Sequence, residues 1–185
     1  AQYHAASRVS YVTAFFFGSI TGVMAPTIAR LHAARQYKDL VNTVQNASLL
    51  AFVGTVILSL VVIIFGDNIL MLFGQRFIEA DRIMYILVFS WILHAAFGIN
   101  HVTLTMIGAP KIGILALGGA AICNVALNFV FIPLWGAEGA AISSLISTMG
   151  FSYVEWLIMR RKFDYVFDVL NIAKYKYSNY ERNKG

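Results

Sequence analysis

Charged residues along this chain fall in clusters, and long uncharged stretches run between them. Arg8 and Arg30 enclose "VSYVTAFFFGSITGVMAPTIA", Asp39 and Asp67 enclose "LVNTVQNASLLAFVGTVILSLVVIIFG", and Arg82 and Lys111 enclose "IMYILVFSWILHAAFGINHVTLTMIGAP". A fourth stretch runs from Lys111 to Glu138, and a fifth from Gly139 to Met159, interrupted by Glu155. A spanning helix needs roughly 20 mainly apolar residues. All five stretches reach that length, so the pattern predicts helices over roughly 3–30, 42–66, 79–107, 111–133 and 137–160. The helix of a soluble bundle carries a polar face. Here the charges collect in the gaps instead, and the fold class expected is an all-α membrane protein.

The connections differ in character. "RLHAARQYKDL" is polar and basic and is expected to continue as helix. "ILMLF", framed by Gly66 and Gly74, reads as a short amphipathic piece lying in the membrane interface. "GAPK" and "PLWGAEG" read as tight turns, the second making antiparallel neighbours of the fourth and fifth helices. Lys and Arg accumulate on one side: Arg30, Arg35, Lys38, Lys111, Arg160, Arg161 and Lys162. The positive-inside rule makes that side cytoplasmic, with the C-terminus inside and the N-terminus outside. An outside start without a signal peptide implies upstream helices, so the chain is expected to be a fragment. Residues 1–163 form the transmembrane lobe, and 164–185 a basic cytoplasmic tail with a short amphipathic start.

Composition narrows the class further. Of 185 residues, 59% are hydrophobic and 12% charged, and the mean hydropathy is +0.70. Soluble domains carry about 25% charged residues. The chain carries a net charge of +5, and half of its basic residues lie from Arg160 onward, a tail that reads as a flank beside anionic lipid and not as a nucleic-acid site. The single cysteine, Cys123, rules out an internal disulfide and reads as a small packing residue. Four histidines show no spacing that joins them to carboxylates or thiols, so neither a metal site nor a cofactor is expected. Ser143, Ser144 and Ser147 have no local His or Asp partner, and no catalytic constellation is present: the chain is not expected to be an enzyme.

Several segments, in order, resemble one family: "YHAASRV", "APTIARLHAARQYKDL", "ILMLFGQRFIEADRIMYIL", "MIGAPK", "CNVALNFVFIPLWGAEGAAISSLIS" and "MRRKF". Over residues 3–163 the chain resembles the C-terminal lobe of polysaccharide flippases of the O-antigen and exopolysaccharide type. These belong to the superfamily that also holds multidrug and toxin extruders and the lipid II flippase. The resemblance implies about twelve helices in two six-helix lobes that rock against each other. The five helices here correspond to the eighth through twelfth, which leaves this lobe incomplete and the N-terminal lobe as a missing partner. It further implies transport of undecaprenyl-diphosphate-linked oligosaccharide across the bacterial plasma membrane, with a coupling ion.

Polar groups inside the spans are the candidate substrate-pathway residues. His94, Asn100 and His101 lie deep in the third helix, and His94 and His101 share a face. Asn124 and Asn128, one turn apart in the fourth, are read first as amides bonding to neighbouring helices, at about 0.6 kcal/mol per bond, and second as cavity lining. Arg8, near the outer end of the first helix, is read as a snorkelling residue or as a guanidinium for a pyrophosphate. Glu155 is expected to pair with Arg160 or to reach water. The small-residue ridges Gly136–Ala140–Ser144 and Gly139–Ser143–Ser147 are expected to pack the last two helices together. Two rivals remain at this level. One is a drug extruder of the same superfamily, the other a non-transporting five-helix membrane partner protein.

Overall fold

A chain crossing hydrocarbon must satisfy its backbone N–H and C=O groups internally, so apolar runs of this length become helices. A computed structural model describes residues 2–72 and 81–163. They form α1 (Gln2–Ala33), α2 (Tyr37–Leu72), α3 (Asp81–Ala96), α4 (Asn100–Met106) and α5 (Pro110–Lys162), with no strand among the described residues. The molecule is an all-α membrane protein. The amphipathic start of the tail falls outside the described residues. Backbone through Leu72 continues α2 without a stop at Gly66, and the rest of the expected interfacial piece lies outside the described residues.

The basic linker ends α1 abruptly. Arg35 adopts a left-handed φ of 56°. Gln36 N–H bonds back to the Leu31 carbonyl and Arg35 N–H to that of His32, each at 3.0 Å. This capping pair satisfies the Leu31 and His32 carbonyls at the turn, and α2 runs back along α1.

α5 is two helices. Run straight, 53 residues would extend about 80 Å at 1.5 Å per residue. Yet a Cβ placed on Gly113 would lie 3.7 Å from Glu155 Oε1, so the ends of α5 are neighbours. The reversal is at Gly136, whose φ of 56° and ψ of −128° suit glycine alone. Beyond it, Gly139 faces the Phe131 carbonyl so closely that any side chain would strike it. The arms 110–135 and 137–162 are therefore an antiparallel hairpin. α1, α2 and α5 are each long and apolar enough to cross a membrane, and α3 with α4 pass the same test across a 48° bend. Counting both arms of α5 gives five crossings.

Two apolar cores mark the two ends of the bundle. One joins Ala6 and Val9 of α1, Val62 of α2, Ile83 to Val88 of α3 and Ala141 beyond the hairpin turn. The other joins Ile28 and Leu31, Leu40 and Val44, Leu104 and Ile107, and Met159. Arg30, Arg35, Lys38, Lys111 and Arg160 belong to the second end by their place in the chain. The surface is inverted relative to a soluble bundle. Phe15, Leu115, Ile122 and Phe129 are largely exposed, while Ser10, Thr13, Ser48, Ser143 and Ser152 are buried. Small hydroxyl residues inside and bulky apolar ones outside are the pattern of helices packed in lipid.

Cys123 departs from its expected place. It is exposed and lines a shallow groove between the arms of α5 with Gly119, Ser147 and Gly150.

The hairpin turn is testable. Gly136→Val forces a β-branched side chain into that backbone and is expected to lower stability by about 1–3 kcal/mol. Thermal unfolding in detergent followed by circular dichroism checks this. Gly118→Ala, where an added Cβ meets open space, is the matched control and leaves the transition in place.

Candidate functional site

The third apolar run does not form one helix over 79–107, as its composition suggests. It breaks at Phe97–Gly98–Ile99 and resumes as α4 at Asn100. Gly98 takes a φ of 84°, which ends α3. The break frees backbone groups, and two of them find side-chain partners. The Ile99 N–H is donated to Ser48 Oγ of α2 at 3.3 Å, and Asn100 Nδ2 donates to the Phe97 carbonyl at 2.7 Å. Asn100 is thus a buried brace of the break; its Oδ1 has no hydrogen-bond partner among the described residues.

The break is also tied to the second arm of α5, once on each side. Before it, His94 Nδ1 lies 2.6 Å from Ser152 Oγ. Ser152 donates its own proton to the Thr148 carbonyl at 2.8 Å, so its oxygen accepts from His94. After it, His101 Nδ1 donates to Glu155 Oε1 at 2.7 Å. Glu155 is 1% exposed. It neither pairs with Arg160 nor reaches water, contrary to expectation. Arg160 is exposed and sits over the Trp156 ring instead, 5.3 Å from its centre. An ionisable group inside a spanning helix pairs because leaving it alone among apolar neighbours is costly.

Gly113 on the first arm makes room for the pair. A Cβ there would meet His101 Cε1 at 3.1 Å and Nδ1 at 3.2 Å. Around the two histidines lies a cleft of about 270 Å³ between α1, the broken helix and α5. Phe17, Trp91 and Phe151 line it with both imidazoles, and Ala14, Gly18 and Thr21 supply the α1 wall. His94 is packed among Phe17, Trp91 and Phe151 at ring separations of 4.9, 5.6 and 6.2 Å. The cleft is smaller than a typical small-molecule pocket of about 300–1,000 Å³. An oligosaccharide does not fit in it; water and ions do.

Of the six residues singled out in the sequence, the structure brings three together: His94, Asn100 and His101. Asn124 and Asn128 lie elsewhere, on the first arm of α5. Asn128 Nδ2 donates to Asn124 Oδ1 at 2.9 Å, so the amides bond to each other along one helix, not across to a neighbour. The Asn128 Oδ1 is buried without a partner among the described residues. Arg8 also stands apart. It is exposed, shares the outer face of α1 with Tyr11 and Phe15, and makes no salt bridge among the described residues. Ser152, Gly113 and Ser48 escaped the sequence reading, and Glu155 was assigned the wrong partner. Glu155 carried a signal, as the lone carboxylate in its span, but nothing in the spacing pointed to a partner 54 residues away. No group of three or more metal-ligating side chains occurs among the described residues.

Gly113→Val would press two methyl groups on the His101–Glu155 pair. Overpacking of this kind costs about 1–3 kcal/mol. A lowered unfolding temperature in detergent is expected, with Gly119→Val on the open side of the same arm as the neutral comparison.

The comparisons with known proteins agree with this architecture. The chain is 22% identical over 146 residues to a protein of Haloferax volcanii named "Probable low-salt glycan biosynthesis flippase Agl15". The alignment covers 78% of this chain and 31% of that relative, so the chain spans about a third of its length. No solved structure matches. The family model MatE matches residues 1–130, which is most of the described bundle. The chain belongs to the MatE family of membrane transporters.

Proposed function

We propose that this chain is the C-terminal part of a transporter that flips oligosaccharide linked to a polyprenyl diphosphate across the plasma membrane. The observation that carries the reading is the alignment with a named glycan flippase along most of the chain, within the MatE family. In this reading an N-terminal lobe supplies the other wall of the pathway, and the two lobes rock to open it to either side. The membrane is a bacterial plasma membrane and the carrier lipid undecaprenyl. The bundle end holding Arg30, Arg35, Lys38, Lys111 and Arg160 faces the cytoplasm, following the positive-inside rule.

The charges favour an anionic lipid over cationic drugs as cargo. The spanning carboxylate among the described residues, Glu155, is sealed and already paired, so it offers nothing to a cationic compound. Arg8 is exposed on an apolar helix face, where a guanidinium can give two parallel hydrogen bonds to a diphosphate. O-antigen and lipopolysaccharide assembly are the processes such a carrier serves.

The test uses the complete transporter in proteoliposomes with a fluorescent diphosphate-linked glycolipid and, separately, a cationic dye. Movement of the glycolipid and not the dye is expected. Dye transport alone would make the protein a drug extruder. Hydrogen bonds to charged groups contribute about 1.5–3 kcal/mol. Arg8→Ala is therefore expected to slow flipping by about tenfold or more. Unchanged flipping in that variant removes Arg8 from the pathway.

A further inference from the structure

The pair formed by His101 and Glu155 is asymmetric. The carboxylate side chain is 2% exposed, while the imidazole is 45% exposed and opens on the cleft. One member is sealed between helices; the other is in reach of water. The pair also sits at a mechanical joint, because α4 begins one residue before His101 and the break is immediately upstream. We propose that His101 and Glu155 together form a one-proton binding site that latches the broken helix to the second arm of α5, and that loss of the proton releases α4.

The argument is charge bookkeeping in an apolar site. With one shared proton beyond the bare carboxylate and neutral imidazole, the pair is neutral overall. It is then an imidazolium with a carboxylate or an imidazole with a carboxylic acid. Either form keeps one hydrogen bond between Nδ1 and Oε1. Without that proton the imidazole still donates, but the site carries a full negative charge between apolar helices, which is costly. The charge is relieved when α4 moves off α5 and water reaches Glu155. Above the pH at which a solvated histidine titrates, about 6.5, opening therefore delivers one proton to water.

Among the described residues, no other ionisable group facing the pair supplies a compensating positive charge by its placement. α1 presents Ala14, Phe17, Gly18 and Thr21 to the cleft, and the first arm of α5 presents Gly113 and Leu117. The second arm adds Phe151, and α3 adds His94, which is bonded to Ser152. Lys111 and Arg160, the cations nearest along α5, are both exposed. Ser48 and Asn100 hold the break itself but do not titrate. The proposal goes beyond the transport reading and does not depend on the cargo.

The experiment is hydrogen exchange of the segment 94–108 in the full-length protein in lipid nanodiscs, from pH 5 to pH 9, with rates corrected for intrinsic exchange. In the open form a solvated histidine titrates at about 6.5 and a glutamate at about 4.3. Between those values the opening constant is flat. Above pH about 6.5 opening releases one proton, so the constant rises about tenfold per pH unit. Glu155→Gln is expected to abolish the rise, because the site no longer holds a titrating pair. His101→Gln, at the half-exposed position, leaves a buried carboxyl that is protonated when closed and gives up its proton on opening, so the rise is expected to extend below pH 6.5, and that change carries the test where Glu155→Gln does not fold. His94→Gln retains the rise. A pH profile unchanged in both the Glu155→Gln and His101→Gln variants, or one abolished by His94→Gln alone, overturns the proposal. Protection restored at high pH by sodium chloride, and not by choline chloride, also overturns it, in favour of a metal cation.

Discussion

In hydrocarbon, a peptide group that leaves its helix has no water to turn to, and this constraint shapes the bundle around the break at residues 97–99. The chain can depart from a straight helix there because other groups stand ready. Ser48 takes the Ile99 N–H, Asn100 takes the Phe97 carbonyl, and Gly98 supplies the left-handed turn. These contacts join α2, α3 and α4 at one point. Moving any of the three elements would strand a polar group. The break is therefore a built joint, and the polar residues deep in the third span are its fittings.

The joint in turn decides where the ionisable groups meet. A straight helix would keep His94 and His101 on one face, two turns apart. The bend sends each to its own partner on the second arm of α5, Ser152 above and Glu155 below. That arm can present both partners because the hairpin turn at Gly136 returns it beside the first arm, and because Gly113 leaves space over the imidazole. Close packing of this kind relies on small residues. Gly139, Ser143 and Ser147 let the arms approach, and their hydroxyls are satisfied within the helix: Ser143 donates to the Gly139 carbonyl and Ser147 to that of Ser143.

The functional groups separate into two regions. His94 and Glu155, with the half-exposed His101, are paired beside a cleft too small for a glycan. Arg8 lies on the outer face of α1, where a partner lobe or a lipid headgroup can meet it. Under the function proposed above, the first region would control shape and the second would meet cargo. The exposed, apolar first arm of α5, with Leu115, Ile122 and Phe129 outward, is the part of the bundle made for lipid.

Much of this organisation was legible in the residues alone. Five uncharged runs bounded by charges dictate five membrane crossings, because length and hydropathy leave a spanning chain few alternatives. "PLWGAEG" announced the hairpin, since small residues follow a proline and a left-handed turn needs glycine. The choice of His94, Asn100 and His101 also rested on a sequence-level fact: polar groups in a span need a reason. What the tertiary structure decided was the partners. Asn124 and Asn128 looked inward to other helices and instead bond to each other, because a one-turn separation lets the amides meet along the helix. Glu155 looked bound for Arg160, five residues on, and instead meets His101 across the bundle, where burial makes a partner obligatory. Hydropathy is a property of each segment and can be read one segment at a time. Pairing depends on which faces are brought together, and a helix face acquires its neighbours only when the bend at Gly98 and the reversal at Gly136 are both in place.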